Sequence, residues 1–219
     1  MTKSFQVVGI GNAIIDILAY VNDDFLVKNK IKKGVMNLIN SQRSKELLRK
    51  ISVTNKVAGG SAANTIVGLS QLGIKTSYLG KVCNDEFGEF FSNDMNSHNV
   101  EFKVSEKIDS TKLSTAHCIV LVTPDGERTM NTYLGVTEFL SKDDLNLKTL
   151  QNCGWVYLEG YRFDGIDSQK AFEIAINYSK KEGGKVALSL SDPFCVQRHR
   201  EKFLQIMNNG VDLIFCNEK

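Results

Sequence analysis

Short β-rich runs alternate with helical segments along the chain, and this alternation limits its fold more than any other feature. The expected strands are 5–10, 76–82, 155–158, 185–190 and 211–215. The expected helices are 44–51, 61–72, 85–96, 168–181 and 198–208. Strands joined by helices of this length pair in parallel, with helices on both faces of the sheet. The sequence therefore predicts an α/β fold with a parallel sheet flanked by helices.

One stretch in the middle of the chain departs from this alternation. Residues 114–123 and 128–134 are both β-rich, and no helical pattern separates them. Between them lies the sequence Pro-Asp-Gly, at 124–126, which is typical of a tight turn. The pattern predicts an antiparallel hairpin inside an otherwise alternating chain.

The composition excludes several classes of protein. The 27 basic and 25 acidic residues leave a net charge of +2, which indicates neither a nucleic-acid partner nor an anionic membrane. No apolar stretch approaches the roughly 20 residues that span a bilayer, and no signal-peptide pattern is visible. The cysteines form no Cys-x-x-Cys pair and the histidines no pair at helical spacing, which argues against disulfides and zinc. We therefore expect a cytoplasmic protein without a nucleic-acid or membrane partner.

Two glycines, Gly59 and Gly60, directly precede the expected helix 61–72. Such a pair lets the backbone pass close to a ligand, towards which the first N–H groups of the helix point. Ser61 can cap this helix, and Asn64, one turn further on, can turn its amide to the same space. A tight strand-to-helix turn that needs only small residues would explain the glycines equally well.

An acidic residue, Asp16, follows the first expected strand in an apolar setting. A buried carboxylate needs a partner, and a sugar diol can donate two hydrogen bonds to its two oxygens. Hydrogen bonds to charged groups contribute about 1.5–3 kcal/mol each. The alternative is an aspartate that caps a local turn or pairs with a lysine.

The glycines at positions 9 and 11 invite a second interpretation, as a dinucleotide-binding fingerprint. That motif requires a third glycine where this chain has Ile14, and residues 12–18 do not resemble the start of a phosphate-binding helix. A Walker-type phosphate loop is also absent from the sequence. If the protein handles ATP, another architecture must hold it.

Several separated motifs, in the right order, resemble the ribokinase or pfkB carbohydrate kinase family, and within it the adenosine kinase branch. Residues 58–64, Ala-Gly-Gly-Ser-Ala-Ala-Asn, match its first signature, and residues 12–16 match the strand that supplies the sugar-diol ligand. Residues 188–194 and 211–218 are close to the corresponding stretches of adenosine kinases. The resemblance implies one ribokinase-like domain of the Rossmann type, with a small β-sheet lid at about 16–38 and 114–134. In this family lid strands can pair between subunits, so a homodimer through the lid is possible.

The resemblance also implies roles for individual residues. Asp16 would hold the ribose 2′ and 3′ hydroxyls, and Glu159 matches the glutamate by which ribokinases contact their sugar, although it could equally be a charge at a strand end. Other residues would lie around the ribose, namely Asn12, Gly59, Gly60 and Asn64. The apolar side, where an adenine could lie, would be lined by Ile14, Met36, Leu38 and Phe194.

Two departures from the family pattern bear on substrate and activity. Animal adenosine kinases have an aromatic pair where this chain has Tyr161 and Arg162. An arginine can stack on a base, but its presence weakens the assignment of adenosine as the substrate against that of a sugar. Asn217 opens the family's Asn-x-x-Glu motif, which helps to organise Mg²⁺ and phosphate. The glutamate of that motif would follow Lys219, and the Gly-Ala-Gly-Asp motif with the catalytic aspartate is not among the 219 residues.

The expected function is therefore ATP- and Mg²⁺-dependent transfer of phosphate to a primary hydroxyl of a nucleoside or sugar. This chain, incomplete at its C-terminal end, would hold the substrate-binding part and transfer no phosphate at a useful rate alone, because positioning of the nucleotide dominates such catalysis. The alternative is a non-catalytic remnant that only binds a sugar or nucleoside. The reading frame beyond Lys219 distinguishes the two hypotheses.

Overall fold

The computed structural model describes residues 3–104 and 113–218. Its strands are β1 Phe5–Ile10, β2 Ile14–Tyr20, β3 Met36–Leu38, β4 Asn55–Gly59, β5 Thr76–Leu79, β6 Glu101–Phe102, β7 Ala116–Val122, β8 Arg128–Tyr133, β9 Cys153–Glu159, β10 Lys185–Ser189 and β11 Leu213–Phe215. The α-helices are α1 Asp23–Lys28, α2 Ser41–Leu48, α3 Ser61–Gln71, α4 Glu86–Ser97, α5 Leu147–Gln151, α6 Ile166–Lys181 and α7 Pro193–Asn208. Short 3₁₀ helices lie at Gly135–Phe139, Lys142–Asp144 and Gly160–Asp164.

A parallel sheet forms the centre of the molecule, with the strand order β11-β10-β9-β1-β5-β6. The first strand, β1, lies inside this sheet between β9 and β5. Phe172 of α6 and Phe203 of α7 belong to one core cluster, and Ile66 of α3 and Phe91 of α4 belong to another. The prediction of a parallel sheet flanked by helices is confirmed.

A second sheet of mixed direction has the order β3-β8-β7-β2-β4. Strands β7 and β8 pair antiparallel, with Val122 opposite Arg128, so the predicted hairpin is confirmed. After β1 the chain leaves the parallel sheet through residues 11–13, and β2 pairs parallel to β7 in the second sheet. The sheet also includes β4, which the sequence analysis did not identify as a strand, because its five residues carry no clear alternation.

Along β2, side chains alternate between the buried face and the open face of the second sheet. Ile15, Ile17 and Ala19 are buried, whereas Ile14 and Asp16 lie on the opposite face and are partly exposed. Successive residues of a strand point to opposite faces, so one apolar row packs into the protein and its neighbours face outward. The carboxylate of Asp16 is thereby presented on the open face of the second sheet.

Helix α3 begins at the predicted residue and α4 within one residue of its prediction, whereas α2, α6 and α7 begin at 41, 166 and 193 in place of the predicted 44, 168 and 198. Helix α3 begins at Ser61, but its N-cap is Gly60, with φ +101°, and no side chain of the capping residue contributes a hydrogen bond. The expected cap at Ser61 was therefore wrong. Helix α7 begins at Pro193, earlier than the predicted residue 198, because Asp192 accepts a hydrogen bond from the N–H of Cys195 (2.7 Å) and proline suits a first helical turn.

The structure bears on two of the sequence-based expectations, those about disulfides and about a membrane span. No disulfide joins any of the five cysteines, all of which lie within the described residues, and only Cys216 is exposed. Within residues 3–104 and 113–218, no helix has both the length and the hydropathy that crossing a bilayer requires.

Candidate functional site

A cavity of about 260 Å³ lies where the two sheets meet, between the end of β9, the start of α3 and the open face of the second sheet. It is lined by Asn12, Ile14, Asp16, Met36, Leu38, Gly60, Ser61, Asn64, Cys118, Met130, Thr132, Leu134, Glu159, Tyr161 and Asp164. Most residues proposed from the sequence are therefore brought to one place. Gly59 lies directly beneath Asp16, as described below. Phe194 does not line the cavity; it is on the first turn of α7 and its side chain is 64% exposed.

The two glycines before α3 allow the backbone to approach the strand that carries Asp16. A Cβ atom on Gly59 would come within 2.4 Å of Asp16 Oδ2. A Cβ atom on Gly60 would come within 2.4 Å of the carbonyl oxygen of Asn12, and Gly60 has a φ of +101° that disfavours other residues. The glycine pair is thus required by this packing, whether or not a ligand is bound.

The Asp16 carboxylate is partly buried on the floor of the cavity. Burial raises the pKa of Asp16 to about 6, against the lowering effect of the positive charge of Arg128. In the described part of the chain, no lysine and no backbone N–H donates a hydrogen bond to this carboxylate. Neither a local cap nor a lysine pair therefore accounts for Asp16, and both its oxygens remain available to donors in the cavity.

Glu159, at the end of β9, is bound differently. It is only 1% exposed, and Oε1 accepts hydrogen bonds from the side-chain nitrogen (2.5 Å) and the backbone N–H (3.3 Å) of Asn12. Oε2 accepts the backbone N–H of Ala62 in the first turn of α3 (3.0 Å). Burial raises the pKa of Glu159, while the Ala62 N–H and the charge of Arg162 oppose that rise. This carboxylate therefore takes the place of a side-chain cap on α3.

Arg162 does not reach the cavity, contrary to the possibility that it stacks on a base. Its side chain is 2% exposed, and Nη1 donates to Oδ1 of Asn12 (2.7 Å). Nη2 donates to the carbonyl oxygen of Glu138 (3.3 Å) and to the hydroxyl of Ser168. The aromatic side chain beside it, Tyr161, lines the cavity instead. Burial and the neighbouring Asp192 raise the pKa of the Tyr161 hydroxyl.

The register of the second sheet aligns the rest of the wall. Asp16 is opposite Cys118, Cys118 is opposite Thr132, and Thr132 is opposite Leu38, so one row crosses four strands. A second pair in register, Met36 and Met130, widens the apolar surface. The sequence analysis missed Cys118, Met130, Thr132 and Leu134. Once Asp16 is placed, alternation along the hairpin could have identified them, but the register could not be read from the sequence.

A larger depression, of about 540 Å³, lies along the start of α4 and carries none of the proposed residues. Its acidic lining includes Asp85, Glu86 and Glu89, and Val104 also lines it. The smaller cavity, in contrast, brings together most of the residues that the sequence analysis proposed, and it is therefore the better candidate for the predicted acceptor site.

The described residues offer no obvious ligand set for Mg²⁺. Within 3–104 and 113–218, no group of three or more histidine, cysteine or acidic side chains is placed to hold a metal ion. Asn217, the expected contributor, is exposed and follows the edge strand β11. The residues present therefore do not fit a Mg²⁺ site.

Comparison with known proteins gives consistent results. Residues 29–219 match the family described as pfkB family carbohydrate kinase. The crystal structure of adenosine kinase from Sinorhizobium meliloti is similar, with 39% identity and a TM-score of 0.89 over 97% of this chain. A probable sugar kinase from Rhizobium etli CFN 42 has 36% identity and a TM-score of 0.90 over 98% of the chain. The guanosine-inosine kinase of Escherichia coli (strain K12) is 25% identical over 228 residues, 99% of this chain.

The coverage is unequal in the two directions. The chain spans 52% of the length of the Escherichia coli kinase and 64% of each of the two crystallised kinases. The matched region of each relative is thus the part that corresponds to the cavity and the two sheets described above.

Proposed function

The chain belongs to the pfkB family of carbohydrate kinases, and from this premise we propose that its cavity binds the acceptor of an ATP-dependent phosphoryl transfer, and that this acceptor is a ribonucleoside. One observation carries the proposal: the Asp16 carboxylate lies on the cavity floor, partly buried, with no hydrogen-bond donor from the described residues. A ribose 2′,3′-diol supplies the two donors that this carboxylate lacks.

The shape and chemistry of the cavity support a nucleoside over a free sugar. Beside the acidic floor lies an apolar wall that includes Met36, Leu38, Met130 and Tyr161. Leu38 is 54% exposed and Met130 is 39% exposed. A flat purine ring would remove this surface from water, at about 25 cal/mol per Å², whereas a free pentose has no apolar part to place there.

The proposal assigns each side of the cavity a role. Asp16 orients the sugar, Tyr161 and the apolar side chains of the second sheet cover the base, and that sheet acts as the lid over the bound molecule. Exclusion of water by such a lid protects the phosphoryl donor from hydrolysis. The names of the related adenosine and guanosine-inosine kinases agree with a purine nucleoside acceptor.

Family membership implies ATP as the phosphoryl donor. The 219 residues contain no Gly-Ala-Gly-Asp motif, so we expect these residues by themselves to bind the acceptor and not to phosphorylate it. Without a general base a transfer of this kind is slower by about 10²–10⁴-fold. Binding, and not turnover, is therefore the appropriate measurement on this chain.

The test is isothermal titration calorimetry of the 219-residue chain with adenosine, inosine, 2′-deoxyadenosine and ribose. We expect the two ribonucleosides to bind, and the 2′-deoxy compound and ribose to bind at least about tenfold more weakly, since each loses contacts worth about 1.5 kcal/mol or more. Asp16→Asn should weaken ribonucleoside binding by about 10–100-fold.

The control variant is Asp144→Asn. Asp144 is also a poorly exposed aspartate, but it is paired with Lys81 (2.8 Å) and does not line the cavity. Its replacement should leave the dissociation constants unchanged. Equal affinity for ribo- and deoxyribonucleosides would contradict the diol contact. Free ribose that binds as tightly as adenosine would contradict the contact with the base.

A further inference from the structure

We propose that Arg162, which lies outside the cavity, is a positioning residue for nucleoside binding: it orients the Asn12 amide and thereby keeps Glu159 anchored to the start of α3. The inference rests on the proposed function for its ligand and on the hydrogen-bond geometry for its mechanism.

Hydrogen bonds fix the orientation of the Asn12 side-chain amide. Its Oδ1 accepts hydrogen bonds from Nη1 of Arg162 (2.7 Å) and from the hydroxyl of Thr137 (3.2 Å). Two donors at the oxygen leave only one orientation of the amide, in which the nitrogen faces Glu159. Asn12, at 2% exposure, is thus occupied within the protein and does not present its oxygen to the cavity.

The negative charge of the buried Glu159 carboxylate needs a positive group nearby. A carboxylate that is 1% exposed is strongly disfavoured unless a positive group lies nearby. The guanidinium of Arg162 supplies that charge, and the Asn12 amide lies between them, accepting from Arg162 and donating to Glu159. Tyr78, a further titratable residue beside Asn12, is neutral and donates its hydroxyl hydrogen to the carbonyl oxygen of Asn12 (2.9 Å).

The hydrogen-bond network of Arg162, Asn12 and Glu159 is connected to the cavity floor. Glu159 Oε2 holds the Ala62 N–H, and Ala62 follows the glycine turn on which the Asp16 carboxylate packs. The Asn12 carbonyl oxygen also lies against Gly60. Displacement of Asn12 or Glu159 would therefore move the turn beneath Asp16, although neither side chain needs to touch the ligand.

Arginine suits this position better than any other cation. Its guanidinium donates in separate directions to Asn12, to the Glu138 carbonyl oxygen and to Ser168, which a single ammonium group cannot do with the same geometry. The nitrogen Nε is buried without a partner among the described residues. The fork of terminal nitrogens, and not Nε, makes the contacts.

The experiment compares Arg162→Met, Glu159→Gln and the double variant by calorimetry with adenosine at pH 7.5. Arg162→Met should weaken binding by about tenfold or more, because the carboxylate of Glu159 loses its positive partner. Adding Glu159→Gln should recover part of the lost affinity, because the unpaired charge is removed and the amide oxygen still accepts from the Ala62 N–H. Asn12, no longer held by Arg162, can turn its own oxygen towards the new NH₂ group. The control is Arg43→Met, which removes a guanidinium that contacts Glu46 and the Asn29 carbonyl oxygen. Arg43 lies on α2, which packs against the face of the second sheet opposite to the cavity.

A second readout does not depend on the ligand. Carboxyl ¹³C NMR of the ligand-free protein reports the Glu159 titration directly, and Arg162→Met should raise the pKa of Glu159 and shift the Ala62 amide resonance. If the wild type binds no nucleoside, the proposed function fails, and this titration still decides the positioning role.

Three results would overturn the inference. The first is unchanged affinity and an unchanged Glu159 titration in Arg162→Met. The second is a double variant that binds no better than Arg162→Met alone. The third applies if Arg162→Met does not fold: removing both charges should restore folding, and a double variant that also fails to fold would show that the arginine acts only through packing.

Discussion

Two carboxylates at the same cavity, Asp16 and Glu159, show how differently one protein can use one chemical group. Both were proposed from the sequence as sugar ligands, and both line the cavity. Asp16 has no hydrogen-bond donor among the described residues, whereas Glu159 accepts from Asn12 and Ala62. The satisfied carboxylate holds the protein together, and the unsatisfied one remains available to a ligand.

The difference follows from where the two residues lie. Glu159 ends a strand inside the parallel sheet, next to the start of α3, so helix N–H groups reach it. Asp16 lies on the outward face of β2, where its neighbours in register are the side chains of Val57 and Cys118. Neither of these is a strong donor. The second sheet therefore presents an acceptor that it does not satisfy, which is unfavourable for folding and useful for binding.

The largest effect on stability should come from Glu159→Ala. It leaves the buried donors of Asn12 and Ala62 without an acceptor and Arg162 without its opposing charge, so the free energy of unfolding should fall by about 3–5 kcal/mol. Urea denaturation measures it. Glu46→Ala is the matched control, because Glu46 is 45% exposed and pairs with Arg43 at the surface, where about 0–1 kcal/mol is expected. A loss below 1 kcal/mol for Glu159→Ala would contradict the network described here.

Asp16→Asn should change stability in the opposite direction. The pKa of Asp16 is about 6 in the folded protein against 3.8 for the free side chain, so the folded state binds more protons between these values. Ionisation at pH 7 therefore disfavours the folded state, by at most about 3 kcal/mol, and solvent screening reduces this to about 1–2 kcal/mol. A neutral asparagine removes the penalty, so the variant should be more stable by that amount.

The pH dependence of this gain provides its own control. The gain should be largest above pH 7, should fall as the pH drops from about 6 towards 3.8, and should vanish below about pH 3, where the aspartate is neutral in both the folded and the unfolded state. Asp144→Asn should instead lose stability, because the carboxylate of Asp144 holds Lys81 and the backbone N–H of Ser141. If Asp16→Asn destabilises the protein at pH 7, Asp16 has a partner that the described residues do not show.

Much of the fold could be predicted because its strong elements carry their own periodicity. The alternating strands and helices and the hairpin around residues 124–126 were all recognisable locally. The short elements were not: α1 and α5 have six and five residues, too few to show a period. The cap of α3 could not be predicted either, since its acceptor, Glu159, is 97 positions away from Ala62 in the chain.

The residues of the candidate site also fall into two groups, those with a local sequence signal and those without one. Asp16, Gly59 and Gly60 were identified because turn chemistry and an acidic residue in an apolar run are local signals. Cys118, Met130 and Leu134 depend on strand register, which side-chain packing between distant segments determines. The sequence analysis considered Arg162 as a stacking residue, because no local signal shows which way a side chain turns after a strand. Orientation and electrostatics are properties of the assembled fold.

The smallest expected effect concerns the pH dependence of ligand binding. A diol donates to the ionised form of Asp16, so affinity should rise as the pH increases through about 6 and should level off above 7. With a pKa of about 6, the ionised fraction falls about tenfold between pH 7 and pH 5, and the affinity for a nucleoside whose base does not titrate in this range should fall equally. Calorimetry from pH 5 to 8 measures it, and Asp16→Asn should flatten the curve. His117 is buried on the opposite face of the second sheet, where burial lowers the pKa of its imidazole. A slope that persists in Asp16→Asn would assign the dependence to another group, such as His117, and leave Asp16 without its proposed role.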